Sequence, residues 1–245
     1  MDAITVHNLS RRYDGIPAVD GLSFAVATGE VFGFLGPNGA GKTTTIRMLT
    51  GQLAPTSGTA TVAGCDVVRD RDDLKPQIGV VFEYQNLYER MSARENLRFA
   101  ARLYGVNGAQ VDRTLAWVGL GDRAGDRVKT FSNGMKQRML IARGLLHGPT
   151  VLFLDEPTRG LDAHAARQIR ALIRQLAGGG TTVFLTTHYM EEADQLCDRV
   201  AILHRGRLVA LDTPARLKAA HGADATLEDV FVALTGDRWQ EADHA

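Results

Sequence analysis

No stretch of the chain approaches the roughly 18 consecutive apolar residues that a membrane-crossing helix needs. Any contact with a bilayer is therefore expected to run through a partner. The opening residues, Met1-Asp2-Ala3-Ile4, lack the charged-then-apolar layout of a secretory signal. These two absences predict a cytoplasmic protein. An excess of one charge is missing too: 28 Lys and Arg balance 28 Asp and Glu, for a formal net charge of zero. A dedicated nucleic-acid binder normally carries a basic excess, so no nucleic-acid partner is expected. Cysteine is scarce. Cys65 and Cys197 are the only two, and their spacing suits neither a metal knuckle nor a redox pair, which leaves ordinary thiols. Internal repeats, low-complexity tracts and heptads are also absent, and 245 residues can bury a substantial core as one large domain or two tightly joined lobes.

What is present has a clear order. Short apolar runs at 4–7, 22–27, 31–35, 59–63 and 78–82 predict strands, separated by turn signals such as Asp14-Gly15 and Thr56-Ser57-Gly58. From Ser92 the texture turns helical. Ser92 followed by Glu95 has the capping-box spacing and opens a helix through Tyr104. Further helices are predicted near 111–118 and 134–146. Strand character returns at 151–154, 182–187 and 200–203, with a helix at 163–176 that stops at Gly178-Gly179-Gly180. After Gly206 a hairpin, a short helix behind Pro214 and a last helix near 227–234 are expected, with fraying beyond Asp237. Strands interrupted once by helices suggest an α/β core carrying a helical lobe.

Gly36-Pro37-Asn38-Gly39-Ala40-Gly41-Lys42-Thr43 lies between the apolar strand 31–35 and a predicted helix at 43–49. In that setting successive backbone N–H groups converge at the positive end of the helix dipole, a ready site for phosphate. The glycines let the chain curl without a side chain in the way. Lys42 supplies a point charge to the β- and γ-phosphates, and the Thr43 hydroxyl can ligate Mg²⁺. A nucleoside triphosphate is the expected ligand. The strand 151–154 ends in Asp155-Glu156. In a parallel sheet ligands sit at the carboxyl end of the strands, so both acids are delivered beside the phosphate loop. Asp155 suits a Mg²⁺ shell, and Glu156 can deprotonate a water aimed at the γ-phosphate. By itself the pair reads equally as an acidic cap on the next helix. Ser132 is a plausible N-cap for the helix that follows it.

Taken together, the phosphate loop, the segment Ser132-Asn133-Gly134-Met135 and the strand ending Asp155-Glu156 resemble the ATP-binding cassette (ABC) ATPase family, over nearly the whole chain. The resemblance implies an α/β fold: a P-loop NTPase core with an antiparallel β subdomain and an inserted α-helical lobe. Residues 1–83 and 151–210 would form the nucleotide-binding core, 84–150 the lobe and 211–245 a C-terminal tail. Tyr13 resembles the aromatic that stacks on adenine, though a tyrosine beside a turn is also simply a surface residue. Gly36 to Thr44, with Lys42, Thr43 and Thr44 at its end, matches the Walker A loop. Ser132 and Gly134 match the signature, whose serine and N–H groups reach the γ-phosphate held by the opposite subunit. Asp155 and Glu156 match the Walker B aspartate and catalytic glutamate. Gly160-Leu161-Asp162 matches the D-loop that crosses the dimer interface, and His188 the switch histidine at the γ-phosphate.

Two positions depart from the pattern. Asn133 and Met135 replace Gly and Gln in the usual Leu-Ser-Gly-Gly-Gln; Asn tolerates left-handed backbone better than other non-glycines. Glu83 stands where the family places a Gln that meets Mg²⁺, with Gln85 an alternative after a two-residue shift. The implied cofactors are ATP and Mg²⁺. The implied partners are a second copy or a similar cassette, paired head to tail, and a separately encoded transmembrane permease at the inner face of the membrane. Coupling to it would run near residues 83–94. The Gly-Met-Lys-Gln-Arg run and Leu227-Glu228-Asp229-Val230-Phe231 resemble the exporter branch, which includes drug, sodium, haem-related and polysaccharide efflux. A cassette ATPase without a permease, such as one serving iron–sulfur assembly, is the alternative. A GTPase is disfavoured because no Asn-Lys-x-Asp or Thr-Lys-x-Asp base reader is found.

Overall fold

The computed structural model describes residues 1–82, 86–222 and 224–237, and every structural statement below concerns these. In chain order the strands are β1 Asp2–Tyr13, β2 Ile16–Ala27, β3 Val31–Leu35, β4 Ser57–Val62, β5 Cys65–Asp66, β6 Ile78–Val81, β7 Val151–Asp155, β8 Thr182–Thr187, β9 Arg199–His204 and β10 Arg207–Asp212. The helices are α1 Lys42–Leu49, α2 Arg71–Leu74, α3 Ala93–Leu103, α4 Gly108–Trp117, α5 Asn133–Leu145, α6 Ala163–Gly178, α7 Met190–Leu196, α8 Pro214–Ala219 and α9 Leu227–Thr235. None of them is long and apolar enough to cross a membrane.

Two sheets share the strands. One is antiparallel, in the order β2-β1-β4-β5; the other runs β10-β9-β3-β8-β7-β6, parallel except for β10. Composition explains which strand goes where. Every residue of β3, β7 and β8 is buried, as expected of central parallel strands covered on both faces. Strand β1 instead mixes buried and exposed positions, with Ile4, Val6 and Leu9 turned inward. Phe24 from the antiparallel sheet packs against Phe32, Phe34 and Phe184 of the parallel one at centroid distances of 5.2–6.2 Å among the four rings. That aromatic cluster joins the two sheets into one body. A second core fills the space between the opposite face of the parallel sheet and helices α3 to α6.

Several predicted elements are longer in the fold. Strand β1 extends past residue 7 to Tyr13 because the hairpin with β2 supplies ladder bonds to polar residues that hydrophobicity does not reveal. Asp14 and Gly15 close this hairpin with φ of 47° and 82°, the two positive values a tight two-residue turn requires. Thr56-Ser57-Gly58 is not a free turn: β4 starts at Ser57, and Gly58 sits where the β1–β4 register slips between His7 and Ser10. Ser92 and Glu95 form the predicted capping box on α3, and Asn107 caps α4, which begins earlier than expected at Gly108. The short elements β5, α2 and α7 are too brief to leave a periodic signal in the sequence.

Candidate active site

Register brings the catalytic candidates to one edge. Leu35 of β3 pairs with Thr187 of β8, and Thr186 pairs with Asp155 of β7. The chain therefore leaves these three adjacent strands at the same level, into Gly36, Glu156 and His188. The phosphate loop follows β3 and enters α1 through Gly41, whose φ of 103° is in the left-handed region. A Cβ at Gly41 would lie 2.5 Å from the Ala18 carbonyl, and one at Gly36 would lie 2.7 Å from the Leu203 carbonyl. Close backbone approach thus requires both glycines, and at Gly41 the left-handed φ does so as well. The first N–H groups of α1 have no partner within the helix and border a cleft of about 300 Å³. Its lining is Ala18, Pro37, Asn38, Gly39, Gly41, Lys42, Thr43, Thr44 and Glu156. Ala40 is buried beneath the loop and donates its N–H to Pro37 O at 3.1 Å. Ala18 was not anticipated; it enters from the β1–β2 hairpin.

Three side chains, Lys42, Glu156 and His188, interlock at the cleft floor. Lys42 Nζ donates to the carbonyls of Gly36 (2.7 Å) and Pro37 (3.3 Å) and lies 3.1 Å from Glu156 Oε1. His188 Nδ1 lies 2.7 Å from Glu156 Oε2, which also accepts the His188 backbone N–H at 3.3 Å. An ionised carboxylate can only accept, so Nδ1 carries the proton. Burial pushes the Glu156 carboxyl up, but the His188 hydrogen bond and the nearby Lys42 ammonium outweigh it, leaving the group below its ordinary value. Glu156 is thus ionised at neutral pH. Its φ is 53°, a strained setting for a non-glycine, held by bonds from its N–H to both the carbonyl and the hydroxyl of Thr186, each at 3.1 Å. The acidic-cap alternative for Asp155-Glu156 does not survive this geometry, since the next helix is capped by Asp162.

Asp155 accepts from Thr186 Oγ1 at 2.5 Å and from Thr43 Oγ1 at 3.0 Å. A hydroxyl and a carboxylate side by side are hard oxygen donors. Among the described residues no group of three or more His, Cys, Asp or Glu could hold a metal by itself. One carboxylate and one hydroxyl beside a phosphate site is the donor set with which proteins hold Mg²⁺, the remaining ligands being water and phosphate oxygens. The residues fit that ion. Glu83, the third metal candidate, lies outside the described residues with Tyr84 and Gln85.

The other predicted residues are held elsewhere. Ser132 is exposed and caps α5 by accepting from Met135 N at 3.3 Å. Gly134 has a packing reason, since a Cβ there would meet Ala165 Cβ at 2.7 Å; it lets α5 approach α6. Asn133 is ordinary right-handed helix, so its tolerance of left-handed backbone is not needed. Asp162 caps α6, its Oδ1 accepting from Ala165 N at 2.8 Å. Ser132, Gly134 and Asp162 thus gather at the α5–α6 start, and none of them lines the phosphate cleft. Tyr13 sits at the hairpin tip beyond Ala18 and is likewise not in the cleft lining. Two supporting residues escaped sequence reading. Thr186 anchors both acids, and Thr158 donates to the buried Glu192 at 2.7 Å. The paired threonines at the end of an apolar strand were the available signal.

The family model described as "ABC transporter" matches residues 19–159, more than half the chain. The chain belongs to the ABC transporter family. The cassette is 48% identical over 221 residues to a fluoroquinolones export ATP-binding protein of Mycobacterium tuberculosis, covering 89% of this chain and 73% of that one. It is 44% identical over 226 residues to the daunorubicin/doxorubicin resistance ATP-binding protein DrrA of Streptomyces peucetius, covering 91% and 68%. Among solved structures it is similar to the ATP-binding subunit of an ABC transporter, with a TM-score of 0.84 at 31% identity over 95% of this chain and 99% of that one. A dimeric cassette in a post-hydrolysis state, bound to ADP and Pi, matches with a TM-score of 0.76 at 25% identity over 86% and 98%. The chain is thus an ABC-type ATPase that binds ATP and serves transport, and cassettes of this kind dimerise and work with permease subunits.

Proposed function

We propose that this cassette hydrolyses ATP at sites shared between two head-to-tail copies, and so drives a separately encoded permease that exports drug-like compounds. The observation that carries this reading is a division within one chain. Lys42, Glu156 and His188 interlock at the phosphate cleft, while Ser132, Gly134 and Asp162 stand together away from it. A second copy turned by a two-fold axis can bring its Ser132 end to the first copy's cleft, and the reverse follows by symmetry. A similar cassette in place of the second copy satisfies the same geometry.

In this reading the amides and Lys42 of the loop hold the β- and γ-phosphates, and Tyr13 stacks on adenine. The incoming phosphates compete with Glu156 for Lys42, which frees one carboxylate oxygen. Glu156 then accepts a proton from water while the water oxygen bonds to the γ-phosphorus. The bond from that phosphorus to the bridging oxygen breaks, its electron pair leaving with ADP, and phosphate is the second product. His188, held by Glu156, positions the γ-phosphate. Asp155 and Thr43, with Glu83 as the family pattern suggests, would hold Mg²⁺, which supplies positive charge against the phosphate oxygens when bound. Loss of the γ-phosphate removes what Lys42, His188 and Ser132 of the second copy grip in common, and the pair opens.

Residues 1–83 and 151–210 act as nucleotide core in this account, 84–150 as lobe and 211–245 as tail. A groove of about 920 Å³ between core and lobe, with Leu87, Tyr88 and Phe99 along it, is where the permease would dock at the inner face of the membrane. Similarity to the fluoroquinolones export and daunorubicin/doxorubicin resistance proteins supports drug export. The test is to co-express the chain with a candidate permease, purify the pair in vesicles and measure ATPase stimulation by lipophilic drugs. Copurification with stimulation supports the proposal. A chain that turns over ATP fully without any membrane partner would favour a cassette ATPase of the iron–sulfur assembly kind.

A further inference from the structure

The hairpin that carries Tyr13 sets a second side chain against the same ring. Residues two apart on a strand point to one face, and the Arg11 guanidinium carbon lies 4.8 Å from the Tyr13 ring centroid. The guanidinium is itself anchored: Nη1 donates to the Ala54 carbonyl at 2.9 Å, in the segment after α1. Its Nε is buried and has no hydrogen-bond partner. A planar cation thus covers one face of the ring, while the tyrosine as a whole keeps 43% of its surface exposed.

We propose that Arg11 is a positioning residue that sets base recognition, clamping Tyr13 from behind and preparing its open face for adenine. The inference rests on Tyr13 stacking on the base, as proposed above. Two effects favour it. Aromatic faces carry partial negative charge, which opposes face-to-face stacking of two π systems. A cation on the far side draws the ring's electrons towards itself and weakens that repulsion. The clamp also orders, before ATP arrives, a side chain at an exposed hairpin tip that the ligand would otherwise have to immobilise. Arg11 acts through the ring and does not touch the nucleotide.

Calorimetric titration of the full chain with ATP and with tripolyphosphate, in Mg²⁺, tests this. Tripolyphosphate offers the charge without a base. Arg11→Met is expected to weaken ATP by about two- to fivefold, the range set by an exposed cation–π contact, and to leave tripolyphosphate affinity unchanged. Arg11→Lys should keep part of the effect. In a Tyr13→Ala background, Arg11→Met should do nothing further. Equal weakening of ATP and tripolyphosphate would mean that Arg11 acts as a general charge or through the fold, and the inference fails. Equal weakening of ATP with and without Tyr13 would also overturn it. If Tyr13→Ala weakens ATP and Arg11→Met does not, stacking stands and this inference alone falls. If Tyr13→Ala leaves ATP affinity unchanged, both fall.

Discussion

The phosphate end of the site and its outer ends are built on different principles. At the phosphate end Lys42, Asp155, Glu156 and His188 are all buried, and each is bonded to a residue from another strand end. At the outer ends Tyr13 rides the tip of one hairpin and Ser132 opens one helix, both exposed. The groups proposed to react are therefore placed by the register of β3, β7 and β8, which cannot shift without moving the whole sheet. The groups proposed to recognise nucleotide, Tyr13 and Ser132, are placed by local elements that can change alone. Damage at the buried end should appear in turnover, and damage at the outer ends in affinity and association.

The largest expected effect is at Glu156. Replacing it by Gln should slow steady-state ATP hydrolysis by about 10²–10⁴ while ATP is still bound; wild-type turnover would remove Glu156 from its role. Gly41→Ala comes next, since its Cβ would lie 2.5 Å from the Ala18 carbonyl at a φ of 103°. Thermal melting should show a loss of about 1–3 kcal/mol, and tripolyphosphate should bind more weakly; a neutral result would mean that the loop yields easily. Ser132→Ala lies at the outer end. Loss of the α5 cap should cost about 1 kcal/mol by denaturant titration with no change in the affinity of single chains for ATP.

A subtler contrast lies in Glu192, buried with one oxygen lacking a partner and the other accepting from Thr158. Burial raises its carboxyl above the ordinary 4.5, and the charge of Glu156 adds to this. A carboxyl that holds its proton more tightly when folded contributes most below pH 4.5, and that contribution fades as pH rises towards the folded value. Glu192→Gln keeps an acceptor for Thr158 and cannot ionise, so its melting temperature should exceed the wild type's at pH 8. The gain should vanish as pH falls towards 4.5; one independent of pH would contradict a titrating Glu192. The smallest effect is expected at Glu83→Gln, which should retain ATPase activity. A complete loss would show that the carboxylate itself is required.

The same contrast governs what the sequence could reveal. Central strands such as β3 and β8 were legible because burial on both faces makes them continuously apolar. The phosphate loop and Asp155-Glu156 were legible because their chemistry needs fixed residue types at fixed spacing. Thr186 was not, because a threonine that anchors two acids looks like any strand threonine until register sets Asp155 opposite it. Gly134 was legible as a residue but not in its reason, which is the approach of Ala165 from a helix thirty residues on. The Arg11–Tyr13 contact was equally hidden, since i and i+2 become neighbours only once the strand extends to the hairpin tip.

The account depends on Ser132 serving a second copy's nucleotide, and sedimentation of Glu156→Gln with Mg²⁺ and ATP tests this most directly. That variant should sediment as an ATP-dependent dimer. Adding Ser132→Arg should leave it monomeric with its ATP affinity intact. A double variant that dimerises as before, or whose monomer loses ATP, would contradict the shared site.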